Sequence, residues 1–129
     1  MGTGISGTSA YVRTIAVIGS DVYAGGRFTN AGGIAVNHIA KWNGSLWSTM
    51  GSGAANVANT ATVDALAVNG SDLYAGGFFT TMGGNTVNNI AKWNGGGWVS
   101  LGNGIHPAGF VVGIGTNGTD VYVTGSFAS

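Results

Sequence analysis

The chain alternates short apolar runs with turns rich in Gly and Asn, and this pattern predicts strands rather than helices. Three runs, TIAVI, ALAVN and VGIGT, are apolar on both faces, which is typical of a strand buried between neighbours. Each is followed by hairpin-turn residues and a second run of the DVYAGGRF kind. In the first two cases a third run, IAKWN, and a fourth that starts at a Trp follow, so a complete unit predicts four short strands.

This four-strand pattern repeats along the chain. Residues 14–53 align without a gap with residues 65–104, at an offset of 51 residues, and about three positions in five are identical. A third copy opens at NGTDVYVTGSF and stops at Ser129, before any counterpart of IAKWN. Four meandering strands in a period of roughly 50 residues are typical of a β-propeller blade.

The predicted fold is therefore an all-β, partial β-propeller over residues 1–129, built of four-stranded antiparallel blades, about two and a half per chain. Blade 1 covers about residues 11–53, blade 2 about 63–104, and a half blade about 110–129. One such sheet is apolar on both faces and cannot shield itself from water, whereas stacked copies bury each face against the next. The repeat thus predicts assembly.

The composition agrees with an all-β chain and argues against nucleic acid and membranes as partners. Gly supplies 26 of the 129 residues and Glu, Gln and Cys are absent, so strong helix formers are scarce. Four basic and four acidic side chains give a net charge of 0, which provides no field to attract nucleic acid or an anionic membrane. No apolar run can span a bilayer and the start MGTGISGTSA does not resemble a signal peptide, so we expect a soluble chain with no visible address.

The repeat resembles the kelch family. A diglycine closes the second strand, an aromatic residue lies late in the third, and a Trp opens the fourth; these residues are Gly25-Gly26, Gly76-Gly77, Trp42, Trp93, Trp47 and Trp98. The chain departs from the family in having Trp where Tyr is usual, Asn43 and Asn94 in place of an acidic residue, and Thr124-Gly125 for the third diglycine. The resemblance implies a propeller used for protein interaction or a glycan-related role, with a copper oxidase as an enzymatic exception.

The conspicuous aromatic and glycine motifs favour structural interpretations. Trp42 and Trp47, like Trp93 and Trp98, flank a four-residue link, so each pair is predicted to face itself across a hairpin and to fill space between blades. The segments GGRFTNAGG and GGFFTTMGG suggest phosphate loops, but no helix follows either one. We interpret the diglycines as allowing unusual φ angles and close backbone approach near the propeller axis.

The titratable residues do not form a recognisable site. Asp21, Asp72 and Asp120 each follow a hairpin turn, where Asp caps backbone N–H groups, and one Asp per turn is too few for a Ca²⁺ loop. The repeated lysines and the two histidines are equally unpromising. Lys41 and Lys92 are expected to keep an outer strand hydrated, His38 aligns with Asn89, and His106 lies beside Pro107 without a third metal ligand nearby.

We therefore predict a non-catalytic protein, with no catalytic residue, no metal site and no cofactor, and no residue set marks a ligand site. The expected role is a scaffold that presents loops to a protein or a glycan. The linker Ser52 to Asp64 is the concrete candidate, because it is longer than its later counterpart and length variation is common where partners dock.

The third copy stops after its second strand, so its strand pair needs a partner. An inner strand pair without its outer two leaves backbone groups unpaired, which natural proteins normally cover. One hypothesis is a homo-oligomer, with a C2 dimer favoured, in which two chains close a six-bladed ring that has two thin blades. The alternative is a fragment of a larger secreted propeller protein, either a glycan-binding lectin or an oxidase or hydrolase whose active site lies outside this chain.

Overall fold

The computed structural model describes residues 4–105 and 109–127 of the chain. All regular structure in these residues is β, and every strand pairing is antiparallel, so the all-β prediction is confirmed. Within the same residues, no helix is long and apolar enough to cross a bilayer. None of the sheets in the described part of the chain closes on itself.

Each complete repeat forms one large sheet. Sheet 1 and sheet 2 each have four strands, which are hydrogen-bonded to one another in chain order. The strands of sheet 1 are β2 (Tyr11–Ile18), β3 (Asp21–Arg27), β6 (Ile39–Trp42) and β7 (Trp47–Ser48). Those of sheet 2 are β9 (Thr62–Asn69), β10 (Asp72–Phe78), β13 (Ile90–Trp93) and β14 (Trp98–Ser100). The third copy forms only the hairpin β15 (Phe110–Thr116) and β16 (Val121–Ser126).

Two small three-stranded sheets lie beside the large ones. In each, the segment that precedes a repeat pairs with a short hairpin inserted between the second and third strands of that repeat. The first consists of β1 (Ile5–Ser6), β4 (Asn30–Ala31) and β5 (Ile34–Ala35), and the second of β8 (Ala54–Ala55), β11 (Thr81–Met82) and β12 (Asn85–Thr86). The linkers are thereby fixed to the sheets they lead into.

Asn side chains set the tight turns between strands. The Asn43 side-chain oxygen accepts hydrogen bonds from the backbone N–H groups of Ser45 and Leu46, both at 2.9 Å. Asn94 and Asn117 accept the equivalent pairs of N–H groups in the other turns. This side-chain mimicry of a backbone turn explains why Asn recurs at these positions.

The diglycines permit close approach, as expected, but not through unusual φ angles. A Cβ on Gly26 would collide with the backbone oxygen of Tyr11, at the point where β2 carries a bulge opposite the diglycine. Neither glycine of this pair has a positive φ. Within the segment GGRFTNAGG, the positive φ angles belong to Gly32 and Gly33, which turn the small β4–β5 hairpin. The expectation of unusual φ angles in these segments is therefore confirmed for Gly32 and Gly33 and wrong for Gly25 and Gly26, where the close approach is found instead.

The three strand sets stack on one another through one recurring contact. Val63 of β9 lies against Gly25 of β3, where an added Cβ would be 2.6 Å from the Val63 Cγ1 atom. Val111 of β15 lies in the same way against Gly76 of β10. The backbone N–H of Leu66 also donates to the Thr14 hydroxyl, at 3.1 Å, across the first junction. Glycine is needed because the next strand's side chain occupies the space of a Cβ.

Candidate functional site

Sheet 1 exposes an apolar face whose counterpart in sheet 2 is covered. We call the side of a large sheet that carries Val63, Leu66 and Val68 its leading face, since these side chains pack on the preceding sheet. Val63 is 0% exposed. The residues of β2 that occupy the same positions in the strand register are Val12, Ile15 and Val17, which are 42%, 63% and 56% exposed. The leading face of sheet 1 is thus an unpartnered copy of a packing surface.

The indole N–H groups of Trp98 and Trp47 also differ between the two sheets. The Trp98 indole N–H donates to the backbone oxygen of Met50, at 3.0 Å, in the loop that follows the last strand of sheet 1. Trp47 is the counterpart in sheet 1, and its indole nitrogen is buried without a hydrogen-bond partner in the part of the chain that the structure describes. A buried Trp N–H usually has a partner, so within the described residues the two sheets differ at this position.

The hairpin presents the complementary open side. We call the side of a large sheet or of the hairpin that receives the next leading face its trailing face. Tyr23 and Tyr74 lie on the trailing faces of sheets 1 and 2 and are 5% and 7% exposed, whereas Tyr122 of the hairpin is 57% exposed. The receiving glycine is replaced there by Thr124, and Gly113 on the neighbouring strand makes room for it, since a Cβ on Gly113 would lie 2.7 Å from the Thr124 hydroxyl.

The recurring acids and lysines form ion pairs within each sheet. Lys41 Nζ lies 2.9 Å from the Asp21 carboxylate, and Lys92 Nζ lies 3.1 Å from that of Asp72. This corrects the expectation for Asp21 and Asp72, because their carboxylates face lysines rather than capping turn N–H groups. The lysines lie on the third strands, β6 and β13, and are about one-third exposed. The Asp120 carboxylate lies 3.4 Å from the hydroxyl of Tyr122.

The ion pair opposes a catalytic role for Lys41. Its hydrogen bond with Asp21 raises the pKa of the Lys41 ammonium above the ordinary value, so the group stays protonated near neutral pH. A lysine nucleophile or base needs the opposite shift. Both partners are about one-third exposed, so we expect only a small contribution to stability.

His38 has a structural role in the loop before β6. It has a positive φ of 67°, and its Nδ1 atom accepts a hydrogen bond from the backbone N–H of Phe28 at 3.3 Å. Asn89 repeats both features in sheet 2, with a φ of 70° and a 2.9 Å bond from the N–H of Phe79. His106, the other candidate, lies outside the described residues. Asn is a common residue at positive φ, and this was the available sequence signal for the role of His38.

The prediction that each Trp pair faces itself across a hairpin is confirmed by the ring geometry. Trp42 and Trp47 are cross-strand neighbours with ring centroids 5.5 Å apart, and Trp93 and Trp98 repeat the arrangement at 5.3 Å. The two rings of each pair are tilted by 54° and 58°. Each pair contributes about 0.5–1.5 kcal/mol beyond its buried area, which accounts for the four Trp residues without a ligand.

The long linker after sheet 1 forms one wall of a cleft of about 400 Å³. The opposite wall comes from the end of β3 and the loop before β6, including Arg27 and His38. Sequence reasoning singled out the linker but missed Arg27. The available signal was a difference between the repeats, since Arg27 aligns with Phe78.

Among the described residues, no three His, Asp or Glu side chains are grouped so that they would hold a metal ion. The features that stand out are therefore surfaces: the leading face of sheet 1, the trailing face of the hairpin, and the linker cleft. No protein-family model, curated protein or solved structure matches this chain.

Proposed function

We propose that this chain is a non-catalytic, propeller-type scaffold that self-assembles by stacking sheets face to face. The observation that carries the proposal is the exposure of Val12, Ile15 and Val17, because the same positions are packed at the next two junctions. Contiguous exposed apolar surface of this kind marks an interaction site. The kelch-like repeat and its four-stranded sheets agree with a propeller, in which every sheet has two neighbours.

The proposed occupant of the leading face is the trailing face of a second copy. The hairpin's Tyr122 is exposed where Tyr23 and Tyr74 are covered, so each copy offers one unsatisfied surface of each type. Two copies joined at both junctions give a closed C2 dimer, which removes both open faces. The face of such a ring would display the linkers to a protein or glycan partner.

Solution mass tests this proposal. Light scattering coupled to size exclusion is expected to give a discrete dimer, near twice the chain mass of 12.8 kDa. Ile15→Asp places a charge at the centre of the leading face and is expected to give a monomer. Leu46→Asp is the matched control, since Leu46 is exposed in the β6–β7 turn, away from that face. A monomeric wild-type chain, or equal behaviour of the two variants, would exclude assembly through this surface.

A second candidate, a segment of a larger propeller, is favoured by one detail. Thr124 lies where the receiving glycine lies at the other junctions, so Val12 cannot approach it as Val63 approaches Gly25. A complete repeat ahead of sheet 1 would present a glycine at this position, as Gly25 and Gly76 do.

Hydrogen exchange at the indole nitrogens distinguishes the candidates, with Trp98 as the internal reference. In a chain extended by an additional copy of residues 54–104 ahead of sheet 1, the larger-propeller candidate predicts that the Trp47 N–H becomes as protected as that of Trp98. Unchanged exchange at Trp47 in the extended chain, together with a dimeric native chain, would favour ring closure by two copies.

A further inference from the structure

The linker cleft contains two ionisable side chains that the second repeat lacks at the aligned positions. Arg27 aligns with Phe78 and His38 with Asn89, and both line the cleft of about 400 Å³ beside the linker. The other ionisable differences between the two large sheets, which include Arg13, lie at the start of the first strand, outside the cleft. A concave site with a few convergent polar groups is the usual form of a small-molecule site.

The cleft offers hydrogen-bond donors and positive charge. The two ion pairs in the described part of the chain involve Lys41 and Lys92 rather than Arg27. His38 Nδ1 accepts from Phe28 N–H, so the neutral ring carries its proton on Nε2 and provides a second donor. Burial, and then the charge of Arg27, hold the pKa of His38 below its ordinary value, so the ring is neutral at pH 7. The described lining residues include no carboxylate to neutralise Arg27.

The rest of the lining suits a ligand rich in hydroxyl groups. Amides and hydroxyls surround the donors, and the apolar part is limited to small alanines and Phe28. The polar members are Thr8, Thr29, Asn37, Asn56 and Asn59, and the alanines are Ala54, Ala55 and Ala61. The volume lies within the range of about 300–1,000 Å³ that small-molecule sites occupy.

We propose that this cleft binds a small saccharide bearing a carboxylate, of the uronic-acid class, with the carboxylate paired to Arg27. Arg matches a carboxylate with two parallel hydrogen bonds, and the surrounding amides and hydroxyls serve the sugar hydroxyls. All of the lining residues belong to one chain, so the site does not depend on the assembly of sheets proposed above. Arg27 is the specificity-determining residue, and the second repeat, with Phe78 and Asn89, lacks the site.

Three small probes separate the parts of this proposal: glucuronate, glucose and acetate, titrated into the ¹⁵N-labelled full chain and followed by NMR. We expect glucuronate to shift the backbone amide signals of residues 27–29 and 54–56, with glucose and acetate at least about tenfold weaker, since each lacks one set of contacts. Equal binding of glucose would exclude the role of Arg27, and equal binding of acetate would exclude a sugar site. No binding of glucuronate at millimolar concentration would overturn the whole proposal.

Two matched charge deletions test the assigned residue. Arg27→Gln is expected to weaken glucuronate binding by about tenfold or more, because a charge-assisted pair is lost. Arg13→Gln removes the same charge from an exposed position on β2 and is expected to leave the affinity within about twofold. Equal losses in the two variants would indicate a general charge effect and overturn the assignment. The solution mass of Arg27→Gln reports assembly separately and is expected to remain that of the native chain.

Discussion

Sheets 1 and 2 are built from closely related residues but have different neighbours. Val63 is fully covered because sheet 1 lies against it, whereas Val12 has the same position in its own strand and is largely exposed. The Trp98 N–H donates to an acceptor in the loop of the preceding sheet, whereas Trp47, with similar ring geometry, has no acceptor among the described residues. Whether these residues are buried is therefore decided by the neighbouring sheet and not by the sequence of the sheet itself.

The largest difference in stability is expected when a carboxylate replaces the valine at each of the two matched positions. Val63→Asp is expected to abolish the folded state, because it buries a charge against Gly25 at a cost on the order of several kcal/mol, comparable with the stability of a small domain. Val12→Asp is expected to cost about 1 kcal/mol or less in the isolated chain, since the site is solvated. Urea unfolding followed by circular dichroism measures both.

The two valine substitutions must be compared at a protein concentration low enough to dissociate the proposed dimer, as checked by light scattering. Equal destabilisation by the two substitutions would mean that the leading face of sheet 1 is already covered within one chain. At higher concentration Val12→Asp is expected to reduce the solution mass, which connects this prediction to the proposed assembly.

A smaller loss of stability is expected when a side chain at Gly25 intrudes on the space that Val63 occupies. Gly25→Ala places a Cβ 2.6 Å from the Val63 Cγ1 atom and 3.0 Å from the Thr14 Cγ2 atom, and overpacking of this kind costs about 1–3 kcal/mol. Gly115→Ala is the control, because a Cβ there has no neighbour within 4 Å. The free energy of unfolding in urea is the readout.

A double substitution tests the cause of the Gly25 effect. If the clash with Val63 is responsible, Gly25→Ala combined with Val63→Ala is expected to cost less than the two single changes together. Additive costs would show that Gly25 acts through its backbone and not through the contact between sheets.

Substitution of Trp98 and Trp47 measures what one hydrogen bond contributes to the difference between the sheets. Trp98→Phe and Trp47→Phe remove similar ring volume, but among the contacts that the structure describes only the first breaks a hydrogen bond, to the Met50 oxygen. We expect Trp98→Phe to be more destabilising by about 0.5–1.5 kcal/mol. Equal losses in a monomeric sample would indicate that Trp47 N–H has found an acceptor, and a difference that vanishes on assembly would identify the neighbour as its source.

Local sequence patterns were sufficient to predict the strands and turns of the large sheets. The Asn-Gly turns and the paired Trp residues carry their own short-range signals, because an Asn side chain reaches N–H groups two and three residues away. The small sheets were not predicted, since a two-residue strand such as β1 gains its identity only from its pairing with β4. Periodicity cannot indicate a strand that short.

The candidate surfaces could be recognised only by comparing the repeats with each other, and not from sequence motifs. The role of Gly25 follows from a side chain 38 residues away, Val63, and the ion pair of Asp21 with Lys41 joins two strands of one sheet. Single-residue reasoning assigned these groups to the nearest turn or edge, because long-range contacts leave no local signature. The exposure of Ile15 became informative only beside its partly buried counterpart Leu66.

The smallest expected effect concerns His38 and its counterpart Asn89. Burial, and then the charge of Arg27, lower the pKa of His38 below 6.5, so the unfolded chain binds a proton more readily than the folded one. The contribution of His38 to stability is therefore fully present above pH 6.5 and declines as the pH falls through the lowered pKa. His38→Asn installs the residue that sheet 2 uses to accept the same backbone N–H, and is expected to flatten the stability profile below pH 6.5 with little change at pH 7.5. Urea unfolding at several pH values measures this, and an unchanged acid decline in the variant would assign the pH dependence to other groups.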